Sequence, residues 1–216
     1  MELRPYQREA IAACESHWHE WDRELLVLPT GTGKTVCFNH IAKERSRQGN
    51  VLILCHRDEL IQQARDKFDG ETGKIKASEN SILPVTVGSV QTMSRRTYPP
   101  DMWSTVIVDE CHHAVSDSYQ AILQQFPKAK VLGCTASPDR SDKKSLARYF
   151  EGIAYEYNFR QAVNDGYLVK PVARCVPLEI DLNSVKVSVG DFEVSGIAEA
   201  LSPYLPQIAK AIKEYA

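Results

Sequence analysis

Leu28-Pro29-Thr30-Gly31-Thr32-Gly33-Lys34-Thr35 follows the apolar run Leu25-Leu26-Val27 and precedes a stretch with helical spacing. The order is strand, loop, helix. Gly31 and Gly33 allow a tight turn that points successive backbone N–H groups inward, where Lys34 reaches terminal phosphates and the Thr35 hydroxyl can ligate Mg2+. The strict form of such a loop carries glycine five residues before Gly33, where Leu28 stands, so the reading rests on the last five residues. A nucleoside triphosphate is the expected ligand, held by Thr30, Gly31, Thr32, Gly33, Lys34 and Thr35.

Upstream, Pro5 suits the first helical position, and Tyr6, Ala10, Ala13, Cys14 and Trp18 recur at helical spacing. Gln7 falls in the first turn of this helix, where its amide could both donate to and accept from an adenine. Downstream, residues 34–47 read as a helix stopped by Gly49-Asn50, and Val51-Leu52-Ile53-Leu54 as a buried strand. Cys55-His56-Arg57 closes that strand, and Asp58-Glu59 open the next helix. Residues 69–80 read as a polar surface connection, residues 84–87 as a strand ending at Gly88-Ser89, and Val90 as the start of a short helix. Ser89 and Gln91 at that strand end could bond a sugar-phosphate backbone.

Thr105-Val106-Ile107-Val108 delivers Asp109 and Glu110 to the C-terminal end of another strand, which is where open α/β sheets bind ligands. Asp109 is placed to hold Mg2+ through water, and Glu110 to orient or deprotonate the water that attacks a γ-phosphate. Residues 129–133 form one more strand, ending in Cys134-Thr135-Ala136-Ser137, and Ser141-Asp142 begin a helix. His56-Arg57-Asp58 imitates a protein-kinase catalytic loop, but Glu59 and Gln63 stand where Leu and Asn belong, which excludes that class. Cys111, His112 and His113 do not make a zinc site: three adjacent residues converge poorly on one tetrahedral ion.

The 216 residues are 43% hydrophobic with a net charge of −2 and a pI near 6.3, so the balance does not by itself announce nucleic acid. Six cysteines without C-x-x-C spacing fit a reduced, cytoplasmic protein. No apolar run is long enough to cross a membrane, and an export signal is not expected.

The order of these motifs resembles the N-terminal RecA-like domain of superfamily 2 helicases of the DEAD/DEAH-box type. Leu3-Arg4-Pro5-Tyr6-Gln7 resembles the adenine-reading motif, residues 29–35 motif I, Asp109-Glu110-Cys111-His112 motif II, Thr135-Ala136-Ser137 motif III, and Cys55-His56-Arg57 and residues 88–92 motifs Ia and Ib. Asp165-Gly166-Tyr167-Leu168-Val169 is similar to the branch of type III restriction motor subunits and RadD-like and UvrB-like helicases. The resemblance implies a three-layer α/β fold with a mainly parallel sheet and helices on both faces. It implies ATP hydrolysis with Mg2+ by Lys34, Asp109 and Glu110, with Arg4 and Gln7 on the base. It further implies nucleic acid, DNA ahead of RNA, at Arg57, Ser89 and Gln91, and coupling through His112, Thr135 and Ser137. The ATPase domain is expected over residues 1–172. Residues 173–216 are expected to hold a linker hairpin and the start of a second RecA-like domain that the chain does not complete.

Overall fold

The computed structural model describes residues 2–114, 116–136, 146–173, 187–188, 191–192 and 194–215. The chain divides into two units, residues 1–169 and 170–216. In the first, eight strands form one sheet: β1 (Arg23–Val27), β2 (Val51–Cys55), β3 (Gly73–Lys76), β4 (Glu79–Ser81), β5 (Val85–Ser89), β6 (Thr105–Val108), β7 (Lys130–Thr135) and β8 (Gly152–Glu156). Their order is β4-β3-β5-β2-β6-β7-β1-β8, and every pairing is parallel except β3 with β4.

Parallel strands covered on both faces need apolar residues throughout, not in alternation. Val51-Leu52-Ile53-Leu54-Cys55 meets that demand, with all five residues buried. Its side chains divide between two cores. Val51, Ile53 and Cys55 join Leu26, Ile107 and Leu132 beneath α1 (Pro5–His17), α2 (Lys34–Arg45), α3 (Asp58–Asp66) and α6 (Phe159–Asn164). Leu52 and Leu54 join Leu25, Val106 and Val108 beneath α4 (Val90–Met93) and α5 (Asp117–Leu123). Three layers result, as the resemblance implies.

The sheet places the ligand end by topology. The chain leaves β1 for β2, across the places later filled by β6 and β7, so a crevice opens at the C-terminal strand ends where the winding direction changes. At the other end of β1, Glu24 is fully buried, and neither carboxylate oxygen has a well-formed hydrogen bond.

Three strands depart from expectation. Residues 69–80 are not merely a surface connection, because β3 and β4 form an edge hairpin there, turning at Ala77 with φ 49°. Only Gly73 and Ile75 of that hairpin are buried, which leaves almost no apolar signal. β8 carries little apolar signal, because it is an edge strand in which Ile153 stays 41% exposed. The helix expected from Ser141 lies outside the described residues.

The second unit contains β9 (Val187–Ser188) paired antiparallel with β10 (Asp191–Phe192), then α7 (Val194–Leu201), a 3-10 turn (Ser202–Tyr204) and α8 (Leu205–Tyr215). Val172 and Ala173 are irregular. No helix of the described residues is long and apolar enough to cross a membrane.

Candidate functional site

The loop between β1 and α2 turns through two left-handed glycines, Gly31 (φ 88°) and Gly33 (φ 86°). A Cβ on Gly33 would stand 2.5 Å from Gln7 Nε2, so this glycine answers both to the turn and to the close approach of α1. The loop is braced from within: the Thr32 hydroxyl and N–H both donate to the Pro29 carbonyl, at 2.6 and 3.2 Å. α2 then begins at Lys34, so its unpaired first N–H groups face the loop and favour an anion there. Thr30 is exposed at the loop's crest, and Thr35 is half-buried in the first turn of α2.

Gln7 is buried. Its Oε1 accepts from the Arg4 N–H at 3.0 Å, and its Nε2 donates to the Thr32 carbonyl at 2.9 Å. Each end keeps one further N–H or lone pair with which to meet a base. The Tyr6 hydroxyl donates to the same Thr32 carbonyl. The first helix thus grips the phosphate loop by its backbone.

Across the sheet, β6 ends at Asp109 and the chain turns sharply at Glu110, a non-glycine residue held at φ 49°. Such a conformation costs about 1–3 kcal/mol and persists where the surroundings enforce it, often at functional sites. It aims Glu110 at the loop: Lys34 Nζ donates to Glu110 Oε1 at 2.7 Å and stands 3.8 Å from Asp109 Oδ1. Asp109 Oδ1 accepts from the Glu110 N–H at 3.0 Å. Burial pushes the Asp109 carboxyl up, while Lys34 draws it back and Glu110 adds to the rise, leaving it above the ordinary carboxylate range. For Lys34 burial acts downward, yet Asp109 and Glu110 outweigh it and hold the ammonium above its usual value.

β7 lies between β1 and β6. Its last residue, Thr135, is buried, and its carbonyl accepts from the Leu28 N–H at 3.0 Å, linking that strand end to the start of the loop. His112 Nδ1 stands 3.4 Å from Glu110 Oε2. Ser137 lies outside the described residues.

Beside the carboxylates, a cleft of about 420 Å³ is lined by His56, Arg57, Glu59, Leu60, Glu110 and His112. A second, of about 260 Å³, shares His56, Arg57 and Glu59 and adds Asp58 and Gln91. Arg57 and Gln91, which the resemblance assigns to one nucleic-acid strand, line one cleft, and Arg57 also faces the motif that carries Glu110. Ser89 is not brought out with them; as the last residue of β5 it is only 5% exposed.

Sequence reasoning missed an aromatic group beside the loop. Tyr6 stacks on Tyr157 at a centroid separation of 4.4 Å and meets Tyr167 edge-on at 4.9 Å, while the Arg4 guanidinium lies 5.0 Å over the Tyr167 ring. Spacing along the chain carries no trace of a cluster that joins α1 to residues so far downstream.

Residues 1–140 match the family described as "Type III restriction enzyme, res subunit". The chain is 34% identical to IRC3 of Saccharomyces cerevisiae, named as a candidate ATP-dependent helicase, over 93% of this chain and 33% of that protein. It is 33% identical to the DNA 3'-5' translocase XPB2 of Sulfurisphaera tokodaii, over 67% of this chain and 33% of that one. Among solved structures, the fragment of a candidate HsdR subunit of a type I restriction enzyme from Vibrio vulnificus YJ016 aligns with a TM-score of 0.61. Its identity is 28%, over 76% of this chain and 32% of that chain. The chain spans about a third of the length of these curated relatives.

Proposed function

The chain belongs to the family of type III restriction enzyme res subunits, and from that premise we propose that it is the ATP-binding half of an ATP-dependent helicase or translocase. The observation that carries this reading is the convergence of Lys34, Asp109 and Glu110 from two strand ends, with Lys34 2.7 Å from Glu110. Residues 1–172 serve as the ATPase domain, and residues 173–216 lead toward a second RecA-like domain.

The residues present fit Mg-ATP. A cradle of N–H groups, one cation and two carboxylates matches a triphosphate with a divalent ion in charge and donor type. Thr30 to Thr35 hold the phosphates, Arg4 and Gln7 face the base, and Thr35 and Asp109 hold Mg2+. Held there by Thr35 and Asp109, Mg2+ would supply positive charge to offset the charge that develops on the phosphates. Glu110 orients the attacking water and takes its proton. Arg57 and Gln91 receive a nucleic-acid strand, DNA ahead of RNA, and His112 and Thr135 relay nucleotide state to the partner domain. The five cysteines among the described residues are free and buried, which is compatible with a reducing, cytoplasmic setting.

A motor of a restriction enzyme is the second reading, favoured by the family match and the HsdR resemblance; it requires a nuclease domain elsewhere in the parent protein. The test is equilibrium titration with fluorescent ATP and Mg2+, alongside steady-state hydrolysis. The chain is expected to bind ATP, to lose binding on Lys34→Ala, and to turn ATP over slowly, since an arginine finger from a second domain is worth about 10³–10⁵ in rate. Fast hydrolysis stimulated by nucleic acid in this chain alone would overturn the half-site reading.

A further inference from the structure

The stretch Asp165-Gly166-Tyr167-Leu168 is fixed by local chemistry and ends against the phosphate loop. α6 opens with a reciprocal cap: Asn158 Oδ1 accepts from the Gln161 N–H at 2.9 Å, and Gln161 Oε1 accepts from the Asn158 N–H at 2.8 Å. It closes at Gly166, whose φ of 76° lets the chain double back. The Tyr167 N–H then donates to the Ala162 carbonyl at 2.9 Å and the Gly166 N–H to the Val163 carbonyl at 3.1 Å, the paired bonds of a Schellman turn. The Tyr157 hydroxyl ties the turn down by donating to Asp165 Oδ2 at 2.6 Å.

This turn throws the next two side chains onto the nucleotide site. Leu168 Cδ2 lies so close to Gly31 that an added Cβ there would meet it at 3.2 Å. Tyr167 presents its edge to Tyr6, which donates to the Thr32 carbonyl, and its face to the Arg4 guanidinium. One residue later the first unit ends.

We propose that Tyr167 and Leu168 are positioning residues of the nucleotide site, Leu168 backing the phosphate loop at Gly31 and Tyr167 holding the Arg4 guanidinium on the base side. The proposal rests on the reading of Leu28–Thr35 as a triphosphate loop. The two residues act at different ends of the ligand, so their loss is separable. A guanidinium held over an aromatic face is steered by the ring quadrupole, which phenylalanine retains and alanine lacks. A leucine against the loop limits the conformations available to its N–H groups, whichever triphosphate they meet.

The test is titration of the chain with a fluorescent ATP analogue in Mg2+, with displacement by ATP and by inorganic tripolyphosphate. Leu168→Ala is expected to weaken both displacing ligands alike, by about 3–10-fold. Tyr167→Ala is expected to weaken ATP by about 2–5-fold and leave tripolyphosphate unchanged, and Tyr167→Phe to bind ATP as the parent does. Parent-like ATP affinity in both alanine variants overturns the proposal while the triphosphate reading survives. Equal losses of ATP and tripolyphosphate in Tyr167→Ala, not restored in Tyr167→Phe, overturn the role given to Tyr167. A parent chain that binds neither ligand sinks the triphosphate reading and the proposal together.

Discussion

Lys34 Nζ lies 2.7 Å from Glu110 Oε1, so the cation of the phosphate loop and the carboxylate given to the attacking water are partners of one another. On the proposed function, a triphosphate has to compete with Glu110 for the ammonium, and the same exchange would free Glu110 to act on water. Glu110→Gln weakens that competition by removing a charge. ATP affinity in the full-length protein is expected to hold or to rise by about 2–10-fold, while turnover falls by at least ~10². Titration with fluorescent ATP and single-turnover hydrolysis read the two effects separately. Unchanged turnover would favour a nucleotide-dependent clamp over a motor.

Gly33→Ala strikes the loop through its backbone. The position is left-handed at φ 86°, and the new Cβ would collide with Gln7 Nε2 at 2.5 Å. Forcing alanine into this conformation costs about 1–2 kcal/mol, which lowers the melting temperature by roughly 2–4 °C for each kcal/mol in a domain of this size. The larger loss falls on binding, because Gln7 can no longer hold the Thr32 carbonyl. ATP affinity is expected to drop by more than ~10-fold, and a variant that melts lower yet binds ATP normally would refute the link between α1 and the loop.

Glu24 supplies a pH dependence remote from the site. Burial pushes its carboxyl up to about 8, with Glu15 adding to the rise and Cys14, Lys130 and Arg45 opposing it. A carboxyl raised above its unfolded value binds its proton more tightly in the folded state, so its contribution to stability is full at low pH. That contribution is lost as pH rises from about 4.5 toward 8. Urea unfolding at pH 5 and pH 8.5 should show lower stability at the higher pH. Glu24→Gln should flatten the difference by about 1–3 kcal/mol, and an unaltered pH slope in that variant would exclude Glu24 as its source.

Arg57 and Gln91 line the same cleft. If that cleft receives a phosphate backbone, Arg57→Ala in the full-length protein should weaken binding to all DNA sequences about equally and reduce the salt slope of affinity by about one. Fluorescence anisotropy at several salt concentrations measures both. Sequence-dependent loss would point instead to base contacts.

The pieces legible in the sequence were those built from apolar runs that end in punctuation. Leu25-Leu26-Val27 before the glycine loop and Thr105-Val106-Ile107-Val108 before Asp109-Glu110 each announce a buried parallel strand and the group it delivers. Strands buried on one side or neither did not announce themselves: β3 and β4 have two buried residues between them, and β8 lies at the edge with Ile153 exposed. The sequence suggests Gln7 as a group for the base, and in the fold its amide also secures the loop through the Thr32 carbonyl. Arg57 and Gln91 are joined in the sequence only by the resemblance, because it is the pairing of β2 with β5 that brings their strand ends together. Asn158, Gln161 and Gly166 cap α6 at one end and stop it at the other, but nothing in that local pattern announces that Tyr167 and Leu168 pack beside the loop, a contact made only in the fold.

The neighbours of β1 are both made late. Arg23–Val27 pairs with Lys130–Thr135 on one side and Gly152–Glu156 on the other, whereas β2 finds β5 and β6 much sooner along the chain. At ~5–20 residues per second on the ribosome, the strand that carries the phosphate loop waits several seconds for either partner. A nascent chain stopped short of Glu156 holds every motif through Thr135 and still has nothing to seat the loop on that side of the strand. The strand that carries the loop is therefore the last of the sheet's strands to gain both of its neighbours.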